Sequence, residues 1–150
     1  MLLQEKKMIT YNDIYEALRK ERYSEQLQQI NKNFVQEVSA YLKEKKVISE
    51  KSGDIFSDAI SKTKKQFENA ISMFKELMLR RKKKLLNLAF VAAETGISKR
   101  DYENMLSFEK ETFDKIMESM ESFLMFSRKQ ILQIDNRLYV DLGDGCSDIS

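Results

Sequence analysis

From Asp54 to Ala92 a largely apolar pattern returns at steps of three and four without a break, through Ile55, Ala59, Thr63, Phe67, Ile71, Phe74, Met78, Arg81, Leu85, Leu88 and Ala92. Steps of that size draw one stripe down one face of an α-helix. The pattern therefore predicts a single helix of about forty residues, roughly 60 Å long at ~1.5 Å per residue. A rod of that length exceeds what a compact domain of 150 residues needs. Part of it must project, kink or pack on another subunit.

Nothing nearby resists the helical reading, since proline is absent and glycine occurs only four times. Thr10 or Asn12 can cap a first helix over about 11–23, with Tyr11, Ile14, Tyr15, Leu18 and Tyr23 roughly on one face. Residues 24–33, rich in Gln and Asn, read as an irregular turn. A second helix carries Phe34, Val38, Tyr41 and Leu42 and fades at Ser49 to Gly53, after which Asp54 is the natural cap of the long helix. Gly96 is its expected stop. Ser98 with Asp101 three residues later predicts the start of a last helix. That helix has a seam of Leu106, Phe113, Met117, Met120, Leu124, Ile131 and Ile134, broadened by Phe108, Ile116, Phe123, Met125 and Phe126. So wide an apolar face is more than a helix pair covers, and it predicts an interface with another chain. From Arg137 the residues alternate and glycines appear, predicting a short strand and then a tail.

The expected architecture is all-α: an elongated helical bundle with two long antiparallel helices and a short C-terminal extended tail. Residues 1–10 read as an N-terminal extension, 11–136 as the helical domain and 137–150 as linker or tail.

The chemistry this chain can support is narrow. Without histidine it lacks the commonest general base and metal ligand. Its one cysteine, Cys146, excludes an internal disulfide and suits a reducing interior. No glycine-rich phosphate loop, metal motif or nucleophile elbow occurs, and Glu109 and Glu111 stand two apart on divergent helix faces. No catalytic, cofactor or metal residue is assigned, no cofactor is expected, and no apolar run approaches a membrane span.

Charge is abundant but balanced, with 26 basic and 24 acidic residues, so there is no global polyanion signal. Its distribution is uneven. Between Lys62 and Lys84 nine residues are basic and two acidic; between Asp101 and Ser122 seven are acidic and two basic. Two antiparallel helices of this kind are expected to pair charge for charge, each exposed pair contributing only ~0.2–1 kcal/mol. Five consecutive basic residues, Arg80 to Lys84, point all around a helix, so one of them, Arg81, falls on the apolar seam. A buried arginine needs a carboxylate or carbonyl partner. Glu21 or an acid on the last helix is the expected one. Arg80, Lys82 and Lys83 are left as contacts for phosphate or an acidic partner.

The segment Leu18-Arg19-Lys20-Glu21-Arg22-Tyr23-Ser24-Glu25-Gln26-Leu27-Gln28 precedes Leu77-Met78-Leu79-Arg80-Arg81-Lys82-Lys83-Lys84-Leu85-Leu86-Asn87-Leu88-Ala89 by some fifty residues. In that order the two resemble the helical domain of a GINS subunit of the archaeal type that places its helical domain first. Tyr15, Leu18, Arg19, Glu21, Ser24, Leu27, Gln28, Phe34, Arg81, Lys84 and Ala89 match the family pattern. The resemblance covers roughly Tyr11 to Ile134 and implies a non-enzymatic DNA replication factor. Such a subunit forms a homo- or heterotetramer that scaffolds and stabilises the replicative MCM helicase with a RecJ-like phosphoesterase. It implies a cytoplasmic, nucleoid-associated protein with weak DNA contact at most, and it makes Phe113, Ile116, Met117, Met120, Phe123, Leu124 and Phe126 interface candidates. The family's small β-rich domain has no counterpart beyond Arg137–Ser150. Two readings compete: a basic helical nucleic-acid-binding protein, whose binding would fall steeply with salt, and a coiled-coil adaptor unrelated to replication.

Overall fold

In the computed structural model of the chain, the backbone is described for residues 8–51 and 57–143, and side chains are described through residue 135 apart from Ser57. The fold is all-α, with five helices and no strand among the described residues. The N-cap Thr10 starts α1 (Tyr11–Arg22) with a reciprocal pair of bonds: its hydroxyl accepts from the Asp13 N–H at 3.2 Å, and its own N–H donates to the Asp13 carboxylate at 2.8 Å. Residues 24–33 are irregular, as their composition predicts, and lead into α2 (Phe34–Ser49). The long helix, α3 (Ser57–Thr95), is 39 residues; the expected cap Asp54 lies outside the described residues.

Two apolar clusters sit one above the other along α3. The lower joins Ile14 and Leu18 of α1, Phe34, Val38 and Tyr41 of α2, and Ala70 and Leu77 of α3. The upper joins Leu27 from the irregular segment, Leu85, Ala89 and Ala92 of α3, Met105, and Phe113 of the last helix. Ile14, Leu27, Val38 and Leu77 are fully buried, each stabilising the fold by ~1.5–3 kcal/mol relative to exposure. Alanines at 70, 89 and 92 let neighbouring backbones approach α3 closely. Arg81 stands on the same stripe, between the clusters.

Gly96 ends α3 as predicted: it takes φ +80° and its N–H donates to the Ala92 carbonyl at 2.9 Å, a left-handed cap suited to glycine. Beyond it the structure departs from the sequence expectation. Ser98 does cap a helix, accepting from the Asp101 N–H at 3.1 Å, but this is only the short α4 (Lys99–Glu103). The chain breaks at residues 104–106, and the last helix, α5 (Ser107–Gly143), starts there with the Glu109 carboxylate accepting from the Leu106 N–H at 2.8 Å. The break has a physical reason. Across the break, the Asn104 carbonyl and the Glu109 carboxylate both accept from Arg81; a continuous helix descending from Ser98 would hold Asn104 level with about residue 89.

The break also corrects the expected orientation. Glu109 meets Arg81, while Ile116, Met120 and Leu124 face Phe90 and Ala93. Numbers rise together on both helices, so α3 and α5 run in the same direction, not antiparallel. The expected charge zipper is therefore missing. Among the described residues, the ion pair between α3 and α5 is Arg81 with Glu109; Glu111 pairs with Lys115 one turn on, and Asp114 accepts from the Tyr102 hydroxyl. The predicted strand after Arg137 is also replaced, since α5 continues to Gly143. A few alternating residues do not outweigh the cooperative extension of a helix already nucleated.

Candidate functional site

The most densely bonded place in the molecule is the junction between the two clusters. Arg81 is 0 % exposed, and all five of its N–H groups find acceptors. Nε and Nη2 grip the Glu109 carboxylate as a fork at 2.8 and 2.7 Å; Nη1 donates to Glu21 at 2.9 Å and to the Gln28 carbonyl at 2.7 Å; the remaining Nη2 proton reaches the Asn104 carbonyl at 3.0 Å. Five donors is the full complement of a guanidinium. Lys84, one turn further, uses its three protons in the same way, on the Glu21 carboxylate, the Glu21 carbonyl and the Gln26 carbonyl. The Glu21 carbonyl belongs to the last turn of α1, which lacks intrahelical partners. Asn104 completes the frame by donating to the Leu27 carbonyl at 2.9 Å.

Two cations and two carboxylates balance in this dry junction, and among the described residues no buried side-chain polar atom lacks a hydrogen bond. Burial opposes the charge on Arg81, but the hydrogen bond and charge of Glu109, and then those of Glu21, outweigh it and raise the guanidinium pKa above its usual value. The group is permanently charged. Nothing in the junction is poised to transfer a proton or attack a substrate. Among the described residues, no group of histidine, cysteine or carboxylates is arranged to hold a metal ion, and no helix is long and apolar enough to cross a membrane.

The expected partner of Arg81 is thus present twice, as Glu21 and as an acid on the last helix. Most residues of the family pattern meet here or beside it. Glu21, Gln28, Arg81 and Lys84 bond to one another, Leu18 and Phe34 line the lower cluster, and Leu27 and Ala89 line the upper. Ser24 ties the turn, its hydroxyl accepting from the Gln28 side chain at 2.8 Å. Tyr15 and Arg19 do not join them; Tyr15 is exposed, and Arg19 pairs with Glu16 on the surface. Sequence reasoning missed Asn104 and the role of Glu109, because no glycine or proline marks the break they frame. The only available signal was a glutamate three residues after Leu106, in the position that caps a new helix.

The interface candidates on α5 divide. Phe113 is buried in the chain's own upper cluster, with Ile116, Met117 and Met120 packed partly against it, so Phe113 is core and does not offer itself to a partner. Phe123 and Phe126 are 69 % and 64 % exposed, and Met125, Ile131, Leu132 and Ile134 are exposed with them. Phe123, Phe126, Ile131 and Ile134 share one side of α5, and Met125 and Leu132 the opposite side; on α3, Leu86, Phe90 and Val91 are exposed. Between the two helices lies an open groove of about 530 Å³ lined by Phe90, Ala93, Ile116, Met120, Phe123 and Leu124. Of the basic cluster, Arg80 pairs with Glu76, which also holds Arg22. Lys82 and Lys83 are exposed and in no ion pair among the described residues.

No family model matches the chain, and no curated protein or solved structure matches it significantly.

Proposed function

We propose that this chain is a non-enzymatic assembly subunit that works by burying the distal face of α5 against other subunits. The observation that carries the reading is the set of exposed residues Phe123, Phe126, Ile131 and Ile134, which share one side of α5 at helical spacing, with Phe123 lining a groove shared with Phe90 of α3. Each such side chain, once covered, stabilises an assembly by ~1.5–3 kcal/mol, whereas soluble monomers rarely keep so large a contiguous apolar patch wet.

The resemblance to GINS helical domains gives the assembly its proposed setting: an elongated subunit of a homo- or heterotetramer that bridges the replicative MCM helicase and a RecJ-like phosphoesterase at the nucleoid. The bonding of Glu21, Arg81 and Lys84 at one junction supports it, with Leu18 and Phe34 in the cluster below and Leu27 and Ala89 in the cluster above.

The test is the solution mass by light scattering at low and high salt. A salt-resistant tetramer that falls apart in the Phe123→Ser/Phe126→Ser variant is the expected result. A monomer, alone and when mixed with a sister GINS subunit, would overturn the proposal. Co-purification with the archaeal helicase then separates the replication reading from that of an adaptor. A second reading, contact with nucleic acid, is favoured by the free Lys82 and Lys83 alone, and two phosphate contacts give only weak, salt-sensitive binding.

A further inference from the structure

A second apolar groove lies at the opposite end of α3, far from the α5 face. Leu42 of α2 and Phe67, Ile71 and Phe74 of α3 floor an open trough of about 400 Å³. The floor residues are half-buried. Lys43 and Lys46 of α2 form one rim. On α3, Lys64 and Lys75, seven before and four after Ile71, fall by register on the Ile71 side of the helix, with Glu68 between them. The acids nearest in register are Glu50, which sits 3.9 Å from Lys46, and Glu68. Lys43, Lys64 and Lys75 are in no ion pair among the described residues. The rim is thus net basic above an apolar floor.

The chain itself indicates what fits such a trough. Phe67 and Leu85 stand eighteen positions apart, about five turns, so they share one face of α3. The upper part of that face, Leu85, Ala89 and Ala92, is covered by the first half of α5. That half is an amphipathic helix that lays Phe113, Ile116, Met117 and Met120 against α3. The lower part of the face has the same apolar character and a more basic border, and among the described residues no second helix lies over the trough between it and α2.

From this we infer that the α2/α3 trough is a docking site for an acidic amphipathic helix of a partner protein, with apolar residues at helical spacing on the floor and carboxylates over the lysines. Val35 to Lys46 measures roughly 16 Å along α2, which is three turns of such a helix. This site is independent of the assembly proposed for α5, and the two fail separately.

The test uses the full chain and two labelled synthetic peptides of about fifteen residues, with leucines at i, i+4, i+7 and i+11. One peptide is flanked by glutamates and the other by lysines, and binding is read by fluorescence anisotropy. The acidic peptide is expected to bind at least about tenfold more tightly than the basic one at ~50 mM salt, with the gap narrowing by ~300 mM. A Lys43→Glu/Lys64→Glu/Lys75→Glu variant, on the exposed rim and so folded by circular dichroism, is expected to reverse the preference. Ile71→Glu should abolish binding of both. The Phe123→Ser/Phe126→Ser variant should bind as the parent does. The inference is overturned if neither peptide binds, if both bind equally, or if the preference survives the lysine reversal. It is also overturned if binding disappears with Phe123 and Phe126, or if Ile71→Glu dissolves an oligomer, which would make the occupant a second copy of this chain.

Discussion

Arg81 shows how one side chain can hold four segments of a fold. Its acceptors come from α1, the irregular segment, the α4–α5 link and α5. Replacing it with methionine leaves Glu109 buried without its cation and Glu21 with Lys84 alone, and should cost ~3–5 kcal/mol in urea unfolding. Combining Arg81→Met with Glu109→Gln should recover part of that loss, because the carboxylate left unpaired is then removed while Glu21 keeps Lys84. Arg81→Lys should still cost roughly 2–3 kcal/mol, since one ammonium cannot supply a fork to Glu109 and also reach three other acceptors. Glu76 permits a pH test. Arg22 and then Arg80 hold its carboxyl below the usual 4.5, so it contributes stability above its unfolded-state value and loses it as pH falls through the folded one. The side chain is 35 % exposed, so Glu76→Gln should cost only ~0.5 kcal/mol at neutral pH. That difference should close below the folded pKa; a difference that grows in acid would contradict the assignment. At this scale the sequence was informative where physics forbids alternatives. Five cations in a row on a helix with an apolar stripe force one inward, and its need for a carboxylate follows. Which acid answers was not legible, because Glu109 is placed by a tertiary break.

Among the elements, the helices with strong periodicity and capping chemistry are where the residues put them. Thr10, Phe34 and Gly96 mark true boundaries. Gly96→Ala should cost ~1 kcal/mol, and all of it through the backbone, because a Cβ there meets nothing within 4 Å; a neutral substitution in thermal unfolding would contradict the left-handed cap. The two misread elements share a cause. Residues 104–106 carry no breaker, so the helix from Ser98 looked continuous, and Leu138, Val140 and Leu142 alternate within a stretch too short to override the helix that enters it. Tertiary demand decides the first and helix propagation the second. α5 also predicts its own dynamics. Phe113 to Met120 pack on α3, whereas residues 125 to 135 have little to pack against, Ser127 alone among them being less than exposed. Amide hydrogens of that distal part should exchange orders of magnitude faster than those near Phe113 in a dissociated chain, and slow sharply in the assembled state. Uniform protection in the monomer would show that the distal turns are stabilised without a partner.

Across the whole molecule, two apolar clusters are strung along one helix and coupled through a charged joint. Neither cluster is large. The lower depends on α1, α2 and α3, and the upper on α3, Leu27, Met105 and α5. Leu27 and Asn104, linked by a hydrogen bond, carry contacts between the segment after α1 and the start of α5. The same-direction packing of α3 and α5 starts at this joint, with Glu109 on Arg81 and Met120 and Leu124 higher up beside Phe90 and Ala93. A chain built this way should unfold as one unit only while the joint is intact. With tryptophan reporters placed singly at Tyr41 and at Tyr102, which sit in the lower and upper clusters, urea transitions should coincide for the parent chain. In the Arg81→Met background they should separate, the upper cluster melting first because its distal α5 side is open to water. Coincident transitions in that background would mean that continuity of α3 alone couples the halves, and that the buried ion network adds stability without adding cooperativity.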